Sequence, residues 1–154
     1  MKMDEYLQFG KYTKDCPKWL PDRVKSIKKS EVEHDYIIKI LEVIREEFNP
    51  ERHETTYTND FKKSRFISVK DVLEKRQRSC GSRATVVASV LRNLNIPTKL
   101  VDGLYIKDNP NMRHAWNEVL INDEWLPFDI TKRGFEIGEY HIRKGEYVDW
   151  SEME

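Results

Sequence analysis

Three residues of the 154-residue chain have types suited to nucleophilic chemistry: Cys80, His114 and Asp129. Only a thiolate attacks efficiently, and an unperturbed thiol titrates near ~8.5, so at neutral pH it needs help to ionise. The sequence offers three sources. Cys80 opens the run CGSRATVVASVLRN behind Ser79, a good helix N-cap, so it falls in a first helical turn where aligned peptide dipoles favour an anion. Arg76, Arg78 and Arg83 lie close by in sequence. A histidine delivered by the fold would complete an ion pair.

Strand register selects that histidine. His114 to Ile121 and Glu124 to Ile130 read as two strands joined by a tight turn at Asn122-Asp123. A two-residue turn pairs positions summing to 245, which sets Asp129 opposite Trp116. His114, two residues from Trp116, projects from the same face. Such diagonal neighbours lie about 7–8 Å apart along the backbone, within reach of an imidazole and a carboxylate. Asp129 then fixes the histidine tautomer and leaves the other ring nitrogen for the thiol. Taken singly, each residue has a commonplace role: a small buried thiol, a strand-end histidine, a turn acceptor. Their joint placement is what points to catalysis.

The remaining elements follow from periodicity. Asp35 to Phe48 carries Ile37, Ile40, Leu41, Ile44 and Phe48 at helical spacing and stops at Asn49-Pro50. Polar residues then dominate to Ser68, and Val69 to Lys75 makes a short helix. In the helix after Ser79, Ala84, Val87, Ala88 and Leu91 form one apolar stripe. Beyond Pro97 the period becomes extended: Lys99 to Ile106 is a strand with Gly103 as a bulge, and Lys107 to Arg113 is a polar loop. Phe135 to Ile142 and Glu146 to Trp150 are read as further strands. Helices followed by a mostly antiparallel sheet make an α+β domain. Residues 1–33 are expected as an arm or short helices on a single domain, 34–154. Because the loop leads directly into His114, Asn109 to Asn111, Met112 and Arg113 are expected at the rim of a cleft, and Trp116 is a candidate for its wall.

Composition narrows the function classes. With 27 basic and 27 acidic side chains the chain is neutral, which argues against a general polyanion binder. The charge is uneven, nine bases to three acids over residues 60–92 and five bases to eleven acids over 108–154. The basic stretch surrounds Cys80 but carries no aromatic-interleaved nucleic-acid motif. No run of about 18 apolar residues is present for a membrane helix, and MKMDEYLQFGKYTKD has no secretory h-region. Two cysteines, Cys16 and Cys80, form no disulfide framework, so a cytoplasmic location is expected. No acidic calcium loop or zinc-type cysteine set is seen, and no metal or cofactor is expected.

The segment SCGSRATVVASVLRNLNIPTKLVDGLYI, followed by RHAWNEVLINDEWLPFDIT, resembles the core of the transglutaminase-like family. That family shows a cysteine opening a helix, a small residue four positions on, a G-I-P-like exit, H-A-W-x-E-V and W-x-x-x-D-x-T. Here these are Cys80, Ala84, Asn95-Ile96-Pro97, His114 to Val119, and Trp125 through Asp129 to Thr131. One departure is Arg78, where a glycine is common. The resemblance implies a papain-like triad acting on peptide or glutamine amides: Cys80 as nucleophile, His114 as base and acid, Asp129 as orienter. The Cys80 N–H is a natural oxyanion donor, and Gln77, Asn59 and Tyr57 are candidates for a second. Hydrolysis is expected over cross-linking, with a peptide or protein as substrate. The alternative is a catalytically silent fold used as a protein-binding module.

Overall fold

Helical spacing before Pro97 and alternation after it become two packed halves. The computed structural model describes residues 2–107 and 112–154. Among these, five α-helices come first: α1 (Trp19–Lys25), α2 (Glu33–Glu46), α3 (Phe61–Arg65), α4 (Val69–Lys75) and α5 (Cys80–Asn93). Four strands follow, β1 (Thr98–Tyr105), β2 (Met112–Ile121), β3 (Glu124–Phe128) and β4 (His141–Tyr147). They form one antiparallel sheet ordered β3-β2-β1-β4. The α+β class is as expected. No described helix is long and apolar enough to cross a membrane.

Helix α5 is apolar on more than one face because it is covered on more than one side. Ala84 and Ala88 pack with Leu100 and Ala115 of the sheet. Val86, Val87, Val90 and Leu91 pack with Ile37, Ile40 and Ile44 of α2. Its first turn is held by bonds from distant segments. Ser64 Oγ of α3 accepts from the Gly81 N–H at 3.1 Å, and Ser82 Oγ donates to the Ser64 carbonyl at 2.8 Å. Trp150 Nε1, wholly buried, donates to Thr85 Oγ1 at 2.9 Å. A Cβ at Gly81 would lie 2.7 Å from Ser64 Oγ, so glycine permits this approach.

Several expectations need correction. Ser79 stands at the N-cap, but its hydroxyl does not cap the helix. It accepts from the Thr58 N–H at 2.9 Å and lies 2.7 Å from the Thr58 carbonyl, tying the preceding segment to α5 instead. Phe135 to Ile142 is not a strand. Arg133–Phe135 is a 3-10 turn with Gly134 at φ 77°, because Phe135 turns into the helical core and its carbonyl accepts from the Asp129 N–H. A single strand, β4, bridges the two stretches read as separate. Helix α3 lies inside the segment read as merely polar; Asp60 caps it by accepting from the N–H groups of Lys62 and Lys63.

Residues 10–13 are stitched to the opposite end of the chain: Asp149 Oδ1 accepts from the N–H groups of Tyr12 and Thr13 at 3.0 and 3.2 Å. The β2–β3 turn has Asn122 and Asp123 in the left-handed region (φ 51° and 64°), and the pairing runs from Ile121↔Glu124 to Asn117↔Phe128, the expected register. The pairing of β1 to β4 shifts between Asp102 and Gly103, but the extra residue is Lys144 of β4, so the bulge expected at Gly103 lies on the partner strand instead. At Gly103 a Cβ would lie 2.3 Å from the Ile142 carbonyl oxygen and 2.5 Å from the Trp116 ring. Gly103→Ala should therefore cost about 1–3 kcal/mol by overpacking. Gly138→Ala, with nothing within 4 Å, should be nearly neutral. Thermal unfolding of the two variants checks this; equal melting temperatures would refute the close approach.

Candidate active site

Three elements converge on one cleft of about 580 Å³. Helix α5 begins with Cys80, β2 carries His114 near its start, and Asp129 directly follows β3. Cys80 and His114 both line the cleft, and the imidazole is near enough to bear on the thiol's ionisation. His114 Nε2 lies 2.6 Å from Asp129 Oδ2, which leaves Nδ1 as the nitrogen for the sulfur. Asp129 is wholly buried behind the histidine. Its second oxygen accepts from the Thr131 N–H at 3.0 Å and the Thr131 hydroxyl at 2.6 Å.

Charge distributes itself accordingly. Burial alone would push the Cys80 thiol up. The hydrogen bond and charge of His114, the Arg65 guanidinium and the Ala115 N–H outweigh it, so the thiol titrates below its ordinary value. Burial works against protonation of His114, but its bonds to Asp129 and Cys80 hold the ring up at about 9. Burial opposes the Asp129 charge as well, yet bonds to His114, His141 and Thr131 keep the carboxyl well below the usual carboxylate range. Both shifts favour the thiolate–imidazolium form of the pair. Cys16 is the contrast: desolvation pushes its thiol up to about 11.

A second histidine, His141, was not singled out from the sequence. Its Nε2 lies 2.8 Å from the same Asp129 Oδ2, and its Nδ1 accepts from the Gly138 N–H at 3.2 Å. An accepting Nδ1 carries no proton, so the proton sits on Nε2 and points at the carboxylate. His141 comes from β4, and its ring packs edge-on to Trp116 (centroids 5.2 Å apart). Its only sequence signal was a histidine inside a segment whose strand boundaries were misread. His114, Asp129 and His141 bring three potential ligand atoms within 4.8 Å of one another. The two N···O separations, 2.6 and 2.8 Å, are shorter than ligands held at about 2.0–2.2 Å around a tetrahedral zinc would keep. A proton fits each gap as it stands.

The cleft also brings together Tyr57, Asn59, Met112 and Arg113. Asn109 to Asn111 lie outside the described residues. Gln77 is not part of the lining; its Oε1 accepts from the Ser79 N–H at 3.0 Å and braces the approach to α5. Trp116 is not a wall of the cleft either. It is buried, with 2% of its surface exposed, because the glycine at 103 opens a slot for its ring. Of the three arginines near Cys80 in sequence, Arg78 and Arg83 line the cleft. Arg76 adopts φ 50° at the end of α4 and turns away to Glu47, 2.6 Å distant. Arg65, hidden in the unrecognised α3, is the guanidinium that acts most strongly on the thiol.

A profile of the transglutaminase-like superfamily matches residues 23–130. No curated protein matches the chain. Among solved structures, a candidate cysteine protease of Cytophaga hutchinsonii superposes with a TM-score of 0.75 at 20% identity, over 97% of this chain and 48% of its own. The periplasmic domain of TgpA from Pseudomonas aeruginosa, solved with ethylmercury bound, gives 0.58 at 23% identity over 84% of this chain and 48% of its own. A TGase gives 0.54 at 20% identity over 92% of this chain and 34% of its own. These likenesses are of fold, and the chain spans about half the length of such structures or less.

The two thiols should differ sharply in reactivity. Iodoacetamide should alkylate Cys80 rapidly at neutral pH, with a rate that falls only as pH drops below its lowered pKa. Cys16 should respond only as pH approaches about 11. Peptide mapping after timed labelling checks this; equal rates for both cysteines would remove the basis for a thiolate at position 80.

Proposed function

Because the chain belongs to the transglutaminase-like superfamily, we propose that it is a thiol enzyme opening amide bonds of peptides or of protein glutamine side chains, with water as the acyl acceptor. The observation that carries this is the cleft shared by Cys80 and His114, with His114 hydrogen-bonded at 2.6 Å to the buried Asp129 behind it. In this reading the Cys80 thiolate attacks the amide carbonyl carbon and forms a tetrahedral oxyanion. The Cys80 N–H, at the first position of α5, has no acceptor within the helix and is one donor for that oxygen. Asn59 or Tyr57 supplies the second.

His114, as imidazolium, gives its proton to the leaving nitrogen; the C–N bond breaks and a thioester remains on Cys80. The neutral ring then takes a proton from an entering water, whose oxygen adds to the thioester carbonyl. Collapse releases a carboxylic acid and regenerates the pair. Asp129 holds the ring in the tautomer both steps require. His141 is a positioning residue that keeps the carboxylate turned toward His114. Hydrolysis is favoured over transfer because the cleft is lined by the exposed side chains of Tyr57 and Met112, on a side where water meets an acyl group. We assign the protein to a reducing compartment, the cytoplasm, on the two unpaired thiols.

Screening against a peptide library, with mass spectrometry of the products, tests the reading. The expected product is a free acid even when a primary amine is present in excess; an amine adduct as the main product would overturn the choice of water. Cys80→Ala and His114→Ala should each remove nearly all turnover, because the pair acts as a unit. Asp129→Asn should lower it by roughly 10²-fold. His141→Gln, which retains an N–H donor, should keep more turnover than His141→Ala at similar KM. A Cys80→Ala protein with full biological activity would favour a binding module instead.

A further inference from the structure

The cleft around Cys80 carries charge of one sign. Arg65, Arg78, Arg83, Arg113 and Lys132 line it, and among the described residues no aspartate or glutamate does. Two of the five are partnered. Arg65 and Arg113 each place Nη2 3.0 Å from opposite oxygens of the buried Asp102. Arg78 and Arg83 form no ion pair among the described residues, and the buried Nε of each has no protein acceptor. With Cys80 and His114 counted as a neutral pair, and Asp102 and Asp129 set against the five cations, the cleft retains a charge of +3.

The thiol alone does not account for these cations. The chief groups that lower the Cys80 pKa are His114, Arg65 and the Ala115 N–H; Arg83 lies in electrostatic reach of Cys80 and Asp129 but forms an ion pair with neither, and its buried Nε has no acceptor among the described residues. Nor does their proximity favour the fold. Desolvation and the like charges of Arg78 and Arg45 push the Arg83 guanidinium down to about 10, so it stays protonated at neutral pH at a cost. Aromatic rings fix several of the forks: Arg113 lies 3.8 Å and Arg65 4.3 Å from the Phe61 centroid, and Arg78 lies 5.6 Å from that of Tyr57. Guanidinium groups held in this way, and short of an anion, are built to take a carboxylate in bidentate fashion.

We propose that the substrate is an acidic peptide, with an aspartate or glutamate side chain flanking the scissile amide and paired with Arg78 and Arg83. This rests on Cys80 being the nucleophile. It assigns the two arginines as specificity determinants and gives the substrate a class by charge. A carboxyl-terminal carboxylate offers the same chemistry and is separated from the side chain by the test.

The test compares Cys80 alkylation by iodoacetate and by iodoacetamide, reagents that differ mainly in charge. In the wild-type chain iodoacetate should react about tenfold faster, and raising the ionic strength should erode that ratio. Arg78→Gln and Arg83→Gln should each lower it; the salt series on the unmodified chain decides the matter if a variant fails to fold. A ratio at or below one in the wild type overturns the proposal. Slow, unselective labelling of Cys80 by iodoacetamide would instead overturn the thiol-enzyme reading, so the two failures are distinct. Protection of Cys80 by N-acetylglutamate amide, but not by N-acetylglutamine amide, supports the side-chain carboxylate. Protection by N-acetylglutamine alone would move the assignment to a peptide carboxyl terminus and overturn the flanking-residue form. Protection by neither acid beyond the neutral amide overturns both.

Discussion

A negative charge is buried at Asp129, and the sheet half of the fold is arranged to make that tolerable. An isolated carboxylate in the interior would cost several kcal/mol or take up a proton. Here its two oxygens accept from His114, His141, the Thr131 hydroxyl and the Thr131 N–H. The donors come from β2, β4 and the turn after β3, so satisfying one charge joins three segments far apart in sequence. The same bonds set a window of pH. Asp129 titrates below its ordinary value, so its contribution to stability is present above about pH 4 and fades as pH falls. His114 is held up at about 9, so its contribution is complete below about pH 6.5 and is lost as pH rises through 9. Between these limits the network is intact.

The second buried carboxylate, Asp102, plays a different part. It sits on the central strand β1 and receives Arg65 from α3 and Arg113 from β2. Arg65 is 2% exposed and stacks between Phe61 and Trp150, and Trp150 in turn bonds the first turn of α5. The chain of contacts runs from the sheet, through one guanidinium, to the helix end that holds the thiol. Removing one partner of such a pair is costly because the other is stranded in a poor solvent for charge. The Cys80 thiol is therefore located by two buried carboxylates, one reached through a histidine and the other through an arginine.

What the sequence made legible was local or periodic. The helix Cys80–Asn93 follows from its apolar stripe and from the asparagine and proline after it, and the short helix Val69–Lys75 is read to the residue. The Asn122-Asp123 turn fixed the register that sets His114 beside Asp129, because a period of two leaves no freedom once the turn is known. The misreadings share a cause. Ser79 is an ideal cap by type, yet a tertiary partner, Thr58, outcompetes the helix for its hydroxyl. Phe135 looks like the start of a strand, yet it is an anchor for the core. Helix α3 has five residues and no stripe, so periodicity could not reveal it or the buried arginine at its end. His141 depends on the pairing of β4 with β1, a contact between segments some forty residues apart that no local pattern encodes.

Two electrostatic demands meet in the cleft and pull in different directions. The thiol needs positive charge nearby to ionise, and His114 with Arg65 supply it from groups already satisfied by carboxylates. A substrate pocket needs groups that are not satisfied, since a cation already paired gains little from a second anion. Arg78 and Arg83 meet that description, and they flank Cys80 at two and three residues' distance on either side of the helix start. Arg78 stands where relatives of this family commonly have glycine, so the residue that departs from the pattern also lines the cleft without an ion-pair partner. The groups that chiefly ionise the sulfur thus come from β2 and α3, whereas the guanidinium groups without an ion-pair partner come from the segment around Cys80 itself.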